Sequence, residues 1–203
     1  MHYDIMSHSM SITLTEQQTD LTQRLILDAA LQTLQDASVG GLTMRAVAKK
    51  AGISERTVFR YFATRDEFLD AVAAEISSQM QVPHPRSLDE LLAMPRTLFT
   101  SLEARRDLIR ASLHTDVSER IMQTNGRQRW TAIRKIVDAY APRAPETQRK
   151  IAATNIRYLM SAATWNYYRF VFRFTLEETI ECAETAMRQA LEALGAPSSR
   201  RLA

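Results

Sequence analysis

An all-α fold is predicted by three features of this 203-residue sequence. Gly and Pro number only five and six, where an all-β chain would need many turns. Apolar residues recur at three- and four-residue spacing along most of the chain, the period of a helix face. The segments marked in this way are separated by capping residues, a glycine or a proline pair. With 45% hydrophobic and 24% charged residues, there is enough apolar material for one large or two small cores.

Residues 1–15 have no period and read as an N-terminal arm. Thr15 with Gln18 forms a capping box for a first helix, whose apolar face is Ile26, Leu27, Ala30, Leu31 and Leu34 and which ends at Gly40-Gly41. Thr43 is an N-cap for a short helix to about Ala51. Gly52 can supply the positive φ of a tight turn, and Ser54 caps a second short helix ending near Phe62. Thr64 and Glu67 form another capping box, and Asp66 and Glu67 suit the positive start of a helix dipole. Phe68, Leu69, Val72 and Ile76 are the stripe of that helix. Val82-Pro83-His84-Pro85 then stops it, which divides the chain into domains at 16–80 and 86–203. Helices are expected over Leu88–Leu102, kinked at Pro95, over Leu108–Leu113, and over Val117–Tyr140, weakened at Asn125-Gly126. One long aromatic-rich helix over Glu146–Phe172 and a last one over Leu176–Leu194 complete the fold.

Several function classes are disfavoured. Cys182 is the single cysteine, so no intrachain disulfide forms, which fits a reducing compartment. No apolar run reaches the length of a membrane span, and no basic stretch followed by an apolar core marks a secretory leader. A cytoplasmic protein is expected. His2, His8, His84 and His114 lack metal-ligand spacing, so neither metal nor cofactor is expected. There is no G-x-S-x-G, no Gly-rich phosphate loop and no plausible nucleophile–base pair, which argues against an enzyme.

Charge concentrates in residues 43–65, TMRAVAKKAGISERTVFRYFATR, hidden beneath an overall +3. Arg45, Lys49, Lys50, Arg56, Arg60 and Arg65 face the single acid Glu55 there. Helix, Gly-containing turn and helix make a helix-turn-helix, whose second helix enters the DNA major groove. On a wheel of that helix, Val58 and Phe62 share the core side and Arg56, Thr57 and Arg60 stand opposite. Arginine's fork suits guanine O6 and N7. Thr57 and Tyr61 reach towards phosphates, Phe59 lies at the edge near a thymine methyl, and Glu55 falls nearer the buried side.

From Arg24 to Val72 the chain resembles the N-terminal domain of tetracycline-repressor-type transcriptional regulators. The matching pieces are Ile-Leu-x-Ala-Ala at 26–30, Gly41, Thr43-Met44, Val47-Ala48, Ala51-Gly52-Ile53-Ser54, Thr57-Val58-Phe59, Tyr61-Phe62 and Arg65-Asp66-Glu67-Phe68-Leu69. The resemblance implies that Thr43, Tyr61 and Arg65 meet the DNA backbone, and that Glu55, Arg56, Thr57, Phe59 and Arg60 face the bases. Arg45 and Ser54 complete the expected contact set. Phe59 stands where many relatives have tyrosine, and Arg65 where a lysine is usual.

The resemblance also implies an effector pocket and a dimer interface in residues 86–203, where no motif is found. Leu176, Ile180, Ala183, Met187, Ala190 and Leu194 repeat at 4-3-4-3-4, the seam of a helix bundle, and are expected to join two protomers. Met94, Leu98, Trp130, Asn155, Tyr158 and Trp165 are candidates for contact with a small hydrophobic or aromatic effector that releases the protein from its operator. The expected partners are therefore duplex DNA, an effector and a second copy of the chain. A helical protein-interaction module without DNA binding is the competing reading.

Overall fold

Each apolar segment of the sequence has to bury one face, and the helices do so against one another in a continuous core. The computed structural model describes residues 14–36, 42–80 and 82–195, with no strand among them. The expected N-terminal arm, the Thr15 side chain and Gly40-Gly41 lie outside what is described. The first group of helices is α1 (Leu14–Asp36), α2 (Met44–Ala51), α3 (Glu55–Tyr61) and α4 (Arg65–Met80). After non-helical residues 82–86 come α5 (Leu88–Ala104), α6 (Arg106–Ser112), α7 (Asp116–Tyr140) and α8 (Glu146–Leu159). Then follow α9 (Ala162–Asn166), a π-helical turn (Tyr167–Val171) and α10 (Leu176–Gly195). Ile26, Val47, Val58, Phe68 and Val72 are fully buried among the first four helices. Helix α4 packs along α7 and α1 touches α6, so one apolar cluster runs through both groups. Pro95 is buried inside α5, and α7 continues unbroken through Asn125-Gly126.

Two expectations change. The single helix expected over Glu146–Phe172 is interrupted after Leu159. Ser161 restarts it as an N-cap, accepting from the Thr164 N–H at 3.1 Å, while the Thr164 hydroxyl donates to the Tyr158 carbonyl at 2.8 Å. These side chains offer the backbone an alternative to the helical ladder. Arg173, at φ 60°, follows the π-helical turn and precedes α10. Glu103 of α5 holds this region in place: it accepts from Trp165 Nε1 at 3.1 Å and pairs with Arg169 at 2.7 Å.

The second change concerns the 4-3-4-3-4 stripe of α10, which is not free to join two protomers. Ile180, Ala183 and Met187 are at most 1% exposed in the isolated chain, Leu194 is buried, and Leu176 and Ala190 pack against the same core. Helices α5 and α8 of the same chain occupy this seam. A bundle periodicity says that a helix face is covered, not which chain covers it.

Hydrogen bonding to Arg169, first among several causes, holds the Glu103 carboxyl below its usual range against the opposing effect of burial. A depressed carboxyl pKa stabilises the fold above its unfolded value and loses that contribution as pH falls through the folded one. Glu103→Gln is expected to cost roughly 1–3 kcal/mol at neutral pH, because it leaves the Arg169 charge without its partner. Denaturant melts should show the gap to wild type closing below about pH 4. A gap of equal size at pH 3 and pH 7 would mean that the contact acts through shape alone.

Candidate nucleic-acid interface and ligand cavity

Local capping builds the helix-turn-helix. The Thr43 hydroxyl accepts from the Ala46 N–H at 3.1 Å and opens α2. Gly52 ends it at φ 69°, with its N–H turned back to the Ala48 and Lys49 carbonyls. Apart from its own chain neighbours, no atom lies within 4 Å of where a Cβ would stand, so conformation rather than crowding selects glycine here. Ser54 accepts from the Thr57 N–H at 3.1 Å and opens α3. The rotation of α3 is set by Val58 and Phe62, both buried, with Phe62 meeting Phe68 edge-on at 5.6 Å.

That rotation turns Arg56, Phe59 and Arg60 outward, and Phe59 is 46% exposed. Glu55 is exposed too, contrary to the wheel. It is the first residue of α3, and a helical Cβ leans towards the N-terminus, which carries this side chain past the packed turn. Thr57 and Tyr61 are half-buried. Hydrogen bonding with Thr22 of α1 is the leading cause of a lowered Tyr61 pKa, and the Arg60 guanidinium lies 5.3 Å from the Tyr61 ring.

Acids engage some of the basic residues. Lys50 pairs with Asp36 at 2.6 Å, and Arg65 pairs with Asp116 of α7 at 2.9 Å. Arg45, Lys49 and Ser54 are exposed. Along the same seam, Arg120 of α7 grips Asp66 at 2.6 Å and Asp70 at 2.5 Å, both on α4. The Thr64 hydroxyl caps α4 through the Glu67 N–H at 3.1 Å, and Glu67 reaches back one residue further than expected, to the Ala63 N–H at 2.9 Å.

Behind this surface, residues of α4 to α9 line a partly open cavity of about 640 Å³. Of the six effector candidates, Leu98 and Tyr158 line it. Met94, Trp130, Asn155 and Trp165 are not part of its lining. Met94 and Trp165 are core, with the indole N–H spent on Glu103. Trp130 belongs to a shallow groove beside Met122 and Arg127, and Asn155 is exposed. Single-face reasoning placed these four because helical period alone does not say which face of a bundle helix meets a void. The lining contains residues that sequence reasoning missed, notably Ser77, Arg129 and Arg157. Burial first, and then the positive charge of Arg157, pushes Arg129 down to about 10. Among the described residues no group of three or more His, Cys, Asp or Glu is placed to hold a metal ion, and no helix is long and apolar enough to cross a membrane.

Two short helices joined at a left-handed glycine, braced by α1 and α4 and backed by a helical bundle around a chamber, define a helix-turn-helix protein of all-α architecture. Residues 26–72 match the family model described as bacterial regulatory proteins, tetR family. The uncharacterized HTH-type transcriptional regulator YvkB of Bacillus subtilis (strain 168) is 32% identical over 95 residues, 45% of this chain and 50% of that protein. The chain thus spans about half the length of this curated relative. A TetR-like transcriptional regulator from Rhodococcus sp. RHA1 has the same fold, with a TM-score of 0.58 at 15% identity over 84% of this chain and 95% of that one. A TetR variant from Acinetobacter baumannii AYE, solved in complex with minocycline, gives 0.52 at 12% identity over 84% and 94%.

Gly52→Ala should cost roughly 1–2 kcal/mol, the left-handed penalty of an L-residue where space is not limiting. Gly52→Asn should cost less. Thermal melts of both variants check this, and equal melting temperatures for wild type and Gly52→Ala would show that the turn relaxes to another conformation.

Proposed function

We propose that this chain is a sequence-specific DNA-binding transcriptional regulator, acting as a homodimer, whose DNA affinity falls when a ligand fills the cavity. The observation that carries the reading is α3. It follows a glycine turn, is fixed in rotation by buried Val58 and Phe62, and presents Arg56 and Arg60 to solvent on the opposite side. Residues 16–80 are the reader in this proposal and residues 86–203 the sensing half. Arg56 and Arg60 address base edges with Glu55, Thr57 and Phe59 beside them, while Thr43, Arg45, Ser54, Tyr61 and Arg65 meet the backbone. A DNA phosphate would take over the Arg65 guanidinium that Asp116 holds in the free chain.

Ligand and DNA are linked through α4 and α7. Helix α7 carries Arg129 at the cavity, and Asp116 and Arg120 against α4. Helix α4 carries Ser77 at the cavity and Arg65 at its other end, about 18 Å away along the axis. The minocycline complex of the Acinetobacter protein supports a ligand-binding role for this fold. A ligand that prefers the arrangement unsuited to DNA lowers DNA affinity by the same factor by which DNA lowers its own.

For the dimer, the available apolar surface lies on α8 and the π-helical turn rather than on the α10 stripe. Ile151 is 55% and Tyr158 66% exposed, two turns apart on one face, and Tyr167, Val171 and Phe172 are also more than half exposed. A two-fold-related copy would cover such residues and match a paired DNA site. Ile151→Glu is expected to give folded monomers by light scattering. Met187→Glu, which drives a charge into the protomer core, should lower the melting temperature instead. A dimer mass retained by Ile151→Glu would place the interface elsewhere.

The function itself is tested by selecting duplexes from a random pool and measuring affinity at two salt concentrations. An absence of salt-dependent duplex binding would favour the protein-interaction reading. On the selected duplex, Arg60→Ala should cost roughly 1–3 kcal/mol per half-site and relax preference at one base position. Arg65→Ala should weaken all sequences alike and reduce the salt slope by about 1 per monomer. If a specificity profile shows the reverse pattern, the faces of α3 and α4 are wrongly assigned.

A further inference from the structure

Six buried or half-buried arginines of the helical bundle differ in how their charge is met, while Arg105, also half-buried, lies between α5 and α6 and outside the cavity lining. Arg120, Arg134, Arg149 and Arg169 each pair with a carboxylate: Asp66 and Asp70, Asp138, Asp138, and Glu103. Among the described residues Arg129 and Arg157 pair with no carboxylate, although both line the cavity. Arg129 is only 9% exposed, and its Nε is buried without a hydrogen-bond partner. Arg157 spends one N–H on the Met160 carbonyl at 3.4 Å. The described lining contains no Asp or Glu, so two positive charges stand in a chamber with no internal counter-charge. A buried charge is costly unless it is paired. Ser77 Oγ, also in the lining, is a second buried polar atom without a partner. The rest of the wall is mainly apolar, with Leu98, Leu102, Ile109, Ile121 and Met160 among it.

We propose that the cavity takes an amphipathic organic anion, with a carboxylate or comparable acidic headgroup seated between Arg129 and Arg157 and an apolar body lying along Leu98, Leu102, Ile109 and Met160. This rests on the reading of the cavity as the effector site and specifies the chemistry of its occupant. A carboxylate supplies the acceptors that the Arg129 guanidinium lacks and neutralises charge where solvent does not. The volume of about 640 Å³ suits a medium-chain or aromatic acid. Ser77 can donate to the same headgroup or to a polar atom further along. Because Ser77 belongs to α4 and Arg129 to α7, the occupant would bridge the two helices that Arg120 ties together.

The test is calorimetric binding of matched acids and alcohols, decanoate against decanol and 2-naphthoate against 2-naphthol, to the full chain and to Arg129→Met and Arg157→Met. The acid of at least one pair should bind wild type roughly 10- to 100-fold more tightly than its alcohol. Either variant should abolish that preference and leave alcohol affinity nearly unchanged. The ligand-free Arg129→Met protein should also melt higher than wild type, because an unpaired buried charge has gone. Equal binding of acid and alcohol, binding of neither acid, an acid preference that survives both variants, or a lower melting temperature for Arg129→Met would each overturn the proposal. The selected duplex separates this from the broader reading. If acids bind by way of the arginines but leave DNA affinity unchanged, the anion site stands and the effector role falls. If only the alcohols release DNA, the effector role stands and the anion site falls.

Discussion

The contact on which the rest of the structure depends is the seam between α4 and α7. Arg120, 23% exposed, places one guanidinium between Asp66 and Asp70, and Arg65 closes the same seam onto Asp116. Exposed ion pairs contribute little individually. Here they flank an apolar interface, with Phe68, Leu69, Val72 and Ile76 of α4 all buried. Helix α4 is thus packed on both sides, braced against α1 and Phe62 of the helix-turn-helix and held by α7 of the bundle. In the proposed regulator, a helix fixed in this way would transmit a rigid displacement rather than absorb it. The start of α4 bears the proposed phosphate contact, and its far end reaches the cavity wall.

The two halves of the chain differ in how local their determinants are. The helix-turn-helix was legible because each feature is settled within a few residues: Thr43 and Ser54 as caps, Gly52 as the left-handed turn, Val58 and Phe62 as the inward pair. Its one misreading, Glu55, came from applying a mid-helix wheel to a first-turn residue. The bundle was legible as helices but not as faces. The stripe from Leu176 to Leu194 has the period of a seam whether its partner is α8 of the same chain or of another. The break at Ser161 carries only a Ser-x-x-Thr signal inside an apolar, aromatic run, too slight to outweigh the periodicity around it.

The cavity was the least legible part, for an electrostatic reason. The chain has many arginines, and nothing local separates Arg129 and Arg157 from Arg120 or Arg169. What distinguishes them is that they line the cavity and that, among the described residues, neither has a carboxylate within ion-pair distance, a property of how α7 and α8 face each other. Ligand sites favour aromatic residues, yet Trp165 is committed to Glu103 and the core. The chamber owes its volume to aliphatic and small residues and its character to two charges and an unpaired hydroxyl.

The claim that α4 and α7 form one transmitting unit is tested most directly by cutting the seam while sparing both sites. The measurement is the ratio of dissociation constants for the selected duplex with and without saturating decanoate, in wild type and in Arg120→Leu. The account predicts that Arg120→Leu still binds both partners while the ratio falls towards one. A ratio equal to that of wild type would contradict it and place the coupling elsewhere in the fold.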